Sequence, residues 1–322
     1  MKIHAQSSWV SSTSRVSRHL VLGAALACAT SATVWAAEAA QKSFSSPEEA
    51  TQALIAALKA EDSKALLAIF GPGSEDLVES GDPVADAAVR NRFVAAYEKS
   101  NSLDRSKDDT AILQVGDTDW PFPIPLVKSK SGWSFDTEEG MEEVIDRRVG
   151  RNELAAIKVC KAYGDAQREY YALNPEKDPL NHYAQKIAST PGKRDGLYWD
   201  AGEGELQSPL GPALANARAE GYAELKGRPY HGYRYKILTA QGPDARGGAY
   251  DYVVPGKQMI GGFAIVAYPE SYGSSGVMTF IMNHDGIVYE KDLGETTEEL
   301  AAKMTTFNPD KSWKPAEADA ES

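Results

Sequence analysis

The readable part of the chain opens with apolar residues at helical spacing: Ala50, Leu54, Ile55 and Leu58 predict an amphipathic helix. Its start is marked by Ser46-Pro47-Glu48-Glu49, where Ser46 caps, Pro47 suits the first helical position and Glu49 reaches back to the cap amide. Asp62 or Ser63 then caps a second, short helix through Leu66, Leu67 and Phe70, which Gly71-Pro72-Gly73 stops. A third helix is expected from about residue 83 to 98, with Val89, Phe93 and Tyr97 on one face.

Beyond residue 100 the period becomes alternating. Ala111 to Val115, Ile124 to Val127 and Gly132 to Asp136 read as strands, with Lys128 to Gly132 as a hairpin loop. Asp136 or Thr137 caps a helical stretch reaching about Tyr171, with a break at Gly150. Met141, Val144, Ile145 and Val149 form its first stripe; Ala156, Val159, Cys160, Tyr163 and Tyr170 form its second.

Residues 174–230 are rich in Pro, Gly, Lys and Asp and predict only short helices, near His182 to Ala188 and Leu210 to Leu225. From Tyr230 onward the pattern is strand: Tyr233 to Leu238, Tyr250 to Val254, Phe263 to Tyr268, then Val277 to Met282 turning at Asn283-His284-Asp285-Gly286 into Ile287 to Glu290. Thr296 to Thr305 makes a last helix, and residues 316–322 read as a disordered tail. The expected fold class is α+β with small antiparallel sheets. Two subdomains are expected, 42–136 and 137–315, the second a long helix packed on a four-stranded antiparallel meander.

The N-terminus reads differently. Lys2, Arg15 and Arg18 precede an uncharged run from Leu20 to Trp35, followed by small residues around Ala36 and Ala39, which is the layout of a cleaved signal peptide spanning residues 1–36. Cys28 lies in that run, but its Leu26 sits one place too late for a good lipid-attachment motif, so acylation is not expected. Removing the leader deepens the formal charge from −12 to −15 and leaves Cys160 as the sole cysteine. So acidic a chain is a poor partner for nucleic acid, which needs a basic face to release counterions, and it has no further segment apolar enough to enter a membrane. The expected location is the periplasm.

Candidate chemistry is sparse. His182, His231 and His284 with one Cys show no pair at the spacing of metal ligands, so neither a metal nor a cofactor is expected. Asn283-His284-Asp285-Gly286 reads as a tight turn, Ser271, Ser274 and Ser275 as parts of a Gly-rich loop, and Cys160 as a buried small hydrophobe. Trp120 and Phe122 alternate with prolines that cannot donate ladder hydrogen bonds, which places them on an edge or rim, as a packed clamp between the halves or as a binding lip. Arg147, Arg148 and Arg151 surround Gly150; they either pair with carboxylates between the halves or receive an anionic partner. Tyr198, Trp199, His231 and Tyr233 carry aromatic faces with polar tips, suited both to an interface or sugar surface and to a helix-sheet core.

Several phrases together carry a resemblance: Gly81-Asp82-Pro83-Val84-Ala85-Asp86, Trp120 through Val127, Gly150-Arg151-Asn152-Glu153-Leu154, Ser189 through Trp199, Pro229-Tyr230-His231-Gly232-Tyr233, and Gly276 through Gly286. The chain resembles the exported bacterial family catalogued as domain of unknown function 2950. That resemblance implies compartment and architecture; the family carries no assigned reaction. Asn152 to Tyr171 with the strands after Gly232 is also similar to the globular heads of type IV pilins and pseudopilins, in which a helix packs on a small antiparallel sheet. Here the stretch before it, 137–151, is charged and lacks the apolar spine of a pilus subunit. The first half resembles nuclear-transport-factor-2-like cones.

Together these features predict a non-catalytic binding or assembly module with a cell-envelope protein or glycan as partner, using Trp120, Phe122, Arg151, Tyr198, Trp199, His231 and Tyr233. The alternative is an envelope hydrolase acting on sugar or peptide through carboxylates such as Asp195 or Asp251.

Overall fold

Ser46 caps helix α1 (Pro47–Lys59) through its side chain, which accepts from the Glu49 amide, and the Glu49 carboxylate in turn accepts from Ser45. Asp62 caps α2 (Ser63–Phe70) in the same way, and Gly71, at φ 87°, ends it. The computed structural model describes residues 40–222 and 227–316, so the expected leader and residues 317–322 of the expected tail lie outside the described residues. The short α3 (Glu75–Val78) and the longer α4 (Pro83–Lys99) follow. Of the apolar stripe expected on α4, Phe93 packs against the first cluster, whereas Val89 is exposed and Asp86 is the helix's buried residue.

Strands β1 (Asn101–Lys107), β2 (Thr110–Val115), β3 (Trp120–Pro121), β4 (Leu126–Ser129) and β5 (Gly132–Phe135) make an antiparallel sheet in the order β1-β2-β4-β5. β1 carries no apolar alternation and is held by its register on β2, with Leu103 opposite Leu113. β3 pairs with the far end of β2, Trp120 opposite Val115 and Pro121 opposite Gln114, so the proline-rich segment forms an edge. Leu54, Ile69, Phe70, Leu113, Leu126 and Phe135 are buried in this half, most of them in a single cluster with Phe44 and Ile124.

Helix α5 (Thr137–Leu173) is continuous, and the expected break at Gly150 does not occur. It ends at Asn174 in the left-handed conformation, φ 42°. Its buried face is Asn152, Ala156, Ile157, Cys160, Tyr163, Gly164, Gln167 and Tyr170, while Val159 is only half-buried. Buried Gln167 behaves like a piece of strand: its amide donates to Ala184 O at 2.8 Å and its oxygen accepts from Ala184 N at 2.8 Å. The short helix expected near His182 is absent for this reason, since Ala184 is spent on Gln167 and Tyr183 N bonds to Met259 O.

After α6 (Gly211–Ala219), the strands β6 (Tyr233–Leu238), β7 (Ala240–Gln241), β8 (Tyr250–Asp251), β9 (Ala264–Pro269), β10 (Met278–Asn283) and β11 (Val288–Asp292) complete the second half. A 3-10 turn (Gly294–Thr296), α7 (Thr297–Lys303), β12 (Thr306–Phe307) and β13 (Lys314–Pro315) follow. The main sheet is antiparallel in the order β13-β11-β10-β9-β6. The strand expected from Tyr250 to Val254 is not part of it; β8 pairs with β7, which pairs in parallel with β12 on its other side, in a separate three-stranded sheet, leaving β6 to pair directly with β9. Both α5 and α7 pack on β9, which explains why every residue of that strand is buried. The protein is therefore α+β, with one hydrophobic cluster in each half and α5 packing into both: Val144 in the first, Ala156 to Tyr170 in the second.

Candidate functional site

The two clusters meet at a polar seam centred on Asp82. Asp-Pro at a helix start places a carboxylate where its first oxygen can cap: Oδ1 accepts from Val84 N at 3.2 Å and Ala85 N at 3.1 Å. The second oxygen crosses to the other half, accepting from Tyr222 Oη and Gly232 N, each at 2.9 Å. Asp82 is 1% exposed, so both halves rely on it to satisfy buried donors. Burial, reinforced by the Asp82 charge, pushes the Tyr222 phenol well above its ordinary range. Tyr222 also accepts from the amide of His231, which sits in the left-handed region at φ 51°.

One turn on, Asp86 accepts from Ser80 N at 3.0 Å and Ser80 Oγ at 2.7 Å. From α5, Arg148 donates to the carbonyls of Asp76 (2.5 Å) and Leu77 (2.8 Å) and to Ser274 Oγ at 3.4 Å. Asn152 donates to Ser275 O at 2.9 Å, and the Glu153 carboxylate accepts from Val277 N and Met278 N at 3.0 Å each. A Cβ on Gly232, at φ 74°, would lie 3.2 Å from Asn152 Cγ, so the turn closes over that amide only with glycine there.

Beside the seam lies a group of arginines. Arg147 pairs with Glu143 one helical turn away and stacks over Trp120 at 5.2 Å from the ring centre. Arg148 is lowered from the ordinary arginine range by burial, partly offset by Asp86 and Asp76. Arg151 is different: it is exposed, yet partial desolvation of its guanidinium lowers it, Arg92, Arg148 and Arg147 lower it further, and no carboxylate opposes them. Neither Arg92 nor Arg151 makes a hydrogen bond or ion pair among the described residues. The carboxylate that Arg147 meets lies on its own helix rather than across the halves, Arg148 is held by backbone carbonyls near acids, and Arg151 stands among like charges.

The phrases that build the seam run from Ser80 to Met278, and a sequence model of the family described as "Protein of unknown function (DUF2950)" matches residues 41–316. The chain belongs to that family. No curated protein and no solved structure matches it.

In this DUF2950 member the remaining candidates are scattered rather than convergent. Trp120 is 37% exposed on β3, whereas Phe122 turns into the first cluster, with ring centres 5.2 Å from Phe93 and 6.2 Å from Phe135. Phe122 therefore packs within its own half and does not clamp the two halves together. Trp199 is buried, its Nε1 donating to Leu206 O at 2.9 Å, and Arg194 lies over its ring. Tyr198 is half-buried under Arg218 and bonds to Asp200. Tyr233 is fully buried with its hydroxyl donating to Met278 O at 2.9 Å, a core tyrosine rather than a surface one. His231 is half-buried, stacked on Tyr230 and 3.3 Å from Glu220 Oε2.

Asp195 is raised by burial, but hydrogen bonds from Lys186 and from the Thr190 amide and hydroxyl outweigh this and bring its carboxyl down to about 2. Asp251 lies exposed on β8. Cys160 is buried and its thiol pushed up to about 12 by burial, which leaves it a weak nucleophile. Asn283 to Gly286 form the tight β10-β11 turn, with Gly286 at φ 83°. Ser274 and Ser275 are buried in the loop before β10 and take part in the seam. Glu176, Asp178 and His182 bring three ligand-type side chains together after α5. Among the described residues no helix is long and apolar enough to cross a membrane.

Sequence reasoning missed Asp82 and Asn152 because an Asp-Pro cap and an amide inside a helix both look local. The available signal was the run of family phrases, which converge here although they lie more than a hundred residues apart.

Proposed function

We propose that this protein is an exported, non-catalytic binding module of the cell envelope that holds an anionic glycan on the arginine face formed by Arg92, Arg147 and Arg151. The observation that carries this reading is Arg151: a cation among three other arginines, without a carboxylate, in a chain of net charge −12. Like charges gathered without a carboxylate repel one another in the folded chain, and an anionic ligand would relieve that repulsion. Guanidinium groups bind carboxylate and phosphate through paired hydrogen bonds, stronger than neutral ones. Trp120, stacked against Arg147 and partly exposed, adds an aromatic face beside those charges. The packing of a long helix on an antiparallel sheet supports kinship with pilin-like assembly modules, while the Glu138, Glu139, Glu142 and Glu143 run supports a unit that is not a fibre subunit.

The test is titration of residues 40–316 with a carboxylated and a phosphorylated polysaccharide at low and high salt. The wild type is expected to bind one of them in a salt-dependent way. The double variant Arg92→Gln, Arg151→Gln is expected to lose about tenfold or more in affinity. Its stability should hold or rise, by about 0.2–0.5 kcal/mol for each relieved like-charge pair. Equal binding by both proteins would remove the arginine face from consideration, and a marked fall in melting temperature would assign these arginines to the fold instead.

Export belongs to the same reading and rests on Lys2, Arg15 and Arg18 ahead of an uncharged apolar run. The family match begins at residue 41, just beyond that leader. Mass spectrometry of the periplasmic fraction should find a new N-terminus between Ala37 and Gln41. An intact Met1 in that fraction, or an acylated Cys28, would overturn it.

A further inference from the structure

We infer that Glu176, Asp178 and His182, in the loop that follows α5, form a binding site for a divalent transition-metal ion, with zinc the best fit to the ligand set. The ligand atoms of the three side chains lie within 4.8 Å of one another. His182 Nε2 is 2.9 Å from Asp178 Oδ2 and 3.7 Å from Glu176 Oε2. Tetrahedral coordination with bonds of about 2.1 Å puts ligand atoms about 3.4 Å apart, so the two distances bracket the required edge and small side-chain shifts complete it.

The imidazole supplies the second, independent reason. His182 is 9% exposed and its ring is fixed against Tyr170, with centres 5.8 Å apart. Its Nδ1 lies 3.2 Å from the carbonyl oxygen of Tyr183, outside the carboxylate cluster. A carbonyl can only accept, so Nδ1 carries a hydrogen, and Nε2 is the ring nitrogen that faces the carboxylates. A metal ion bound there takes the place of any hydrogen shared between Nε2 and the carboxylates and draws on all three side chains at once. A metal-binding histidine ordinarily donates its other ring hydrogen to a backbone carbonyl or carboxylate, and His182 does so to Tyr183.

The surroundings fit the same role. Gln258 Nε2 donates to Asp178 Oδ2 at 3.3 Å, and Tyr170 Oη lies 3.2 Å from Glu176 Oε2, so each carboxylate is itself oriented. Neither carboxylate has a lysine or arginine ion-pair partner among the described residues. Asn174 clasps the loop from both sides, donating to Asp178 O at 2.8 Å and accepting from Asp178 N at 3.1 Å. Glu176 is exposed, which opens the fourth coordination place to water. One nitrogen and two carboxylate oxygens suit zinc or a neighbouring transition ion better than magnesium, which prefers six oxygen ligands.

The experiment is calorimetric titration of untagged residues 40–316 with zinc chloride, paired with melting curves with and without metal. One equivalent is expected to bind and to raise the melting temperature by several degrees, reversibly with chelator. Asp178→Asn and Glu176→Gln replace partly or fully exposed side chains and should fold normally without metal; each is expected to weaken zinc binding by more than about tenfold. His231→Ala, at the separate Glu220 pair, should bind as the wild type does. NMR should show the His182 ring signals shifting with one equivalent of zinc. The absence of zinc, manganese and nickel binding by the wild type, or undiminished binding by both carboxylate variants, would overturn the site.

Discussion

Asp82→Ala is expected to lower the free energy of unfolding by about 3–5 kcal/mol. Removing the cap of α4 costs about 1 kcal/mol, up to 2. The larger loss comes from across the seam, where Tyr222 Oη and Gly232 N would keep their hydrogens and lose a buried acceptor, at about 1–3 kcal/mol for each unpaired group. Asp82→Asn should fall between, since its amide oxygen can serve either the cap or the crossing but not both. Urea denaturation of the three proteins measures this directly. A cost below about 1 kcal/mol for the alanine variant would mean that water replaces the carboxylate, and that the seam is wetter than its 1% exposure implies.

Two glycines in α5 should respond to alanine with opposite signs. A Cβ on Gly150 would meet nothing within 4 Å, so Gly150→Ala should stabilise by about 0.5–1 kcal/mol through helix propensity alone. A Cβ on Gly140 would lie 2.6 Å from Ile124 Cα and closer still to Pro123 O, both backbone atoms that cannot rotate away. Ile124 is fully buried. Gly140→Ala must therefore push the β4 approach off the helix, at about 2–3 kcal/mol net despite the propensity gain. Melting curves of the pair decide it, and two shifts of the same sign would show that the Ile124 segment yields more easily than its burial implies.

The elements that could be read from the sequence are those whose local signals agree with their packing. Ser46-Pro47-Glu48-Glu49 makes the cap it announces, and Ala111, Leu113 and Val115 alternate inward as β2. β1 could not be read because Leu103 is the sole apolar residue from Asn101 to Lys107, too little to show alternation, and the segment becomes a strand through pairing with β2. The Tyr250 strand was legible as a strand but not as belonging to another sheet, because its partner β7 is only two residues long and shows no alternation of its own, and the third strand, β12, comes from far along the chain. Gly150 reads as a helix break because propensity counts against it; packing at Val144 on one side and Asn152 and Ala156 on the other carries the helix through.

For the candidate sites the limits were different. Arg151 was visible as one of three neighbouring arginines, yet the fourth positive charge that acts on it, Arg92, belongs to α4, far away in the sequence. Tyr233 could be read either as part of a binding surface or as a helix-sheet core residue because its hydroxyl is polar; Met278 O satisfies that group inside the core. His182 was weighed only against other His and Cys residues, whereas its neighbours are carboxylates at positions 176 and 178 in a loop with no regular period.

At about 1.5 Å per residue, the 37 residues of α5 run about 55 Å without interruption. Because one rigid rod contributes side chains to both clusters, neither can melt while the other keeps its share of the rod. Calorimetric and van't Hoff enthalpies should then coincide in a single transition. Binding becomes communal in the same sense: an anion gripped near Arg151, halfway along the rod, and a metal ion held just past its end would each protect amides from exchange across the entire protein, at distances no contact spans.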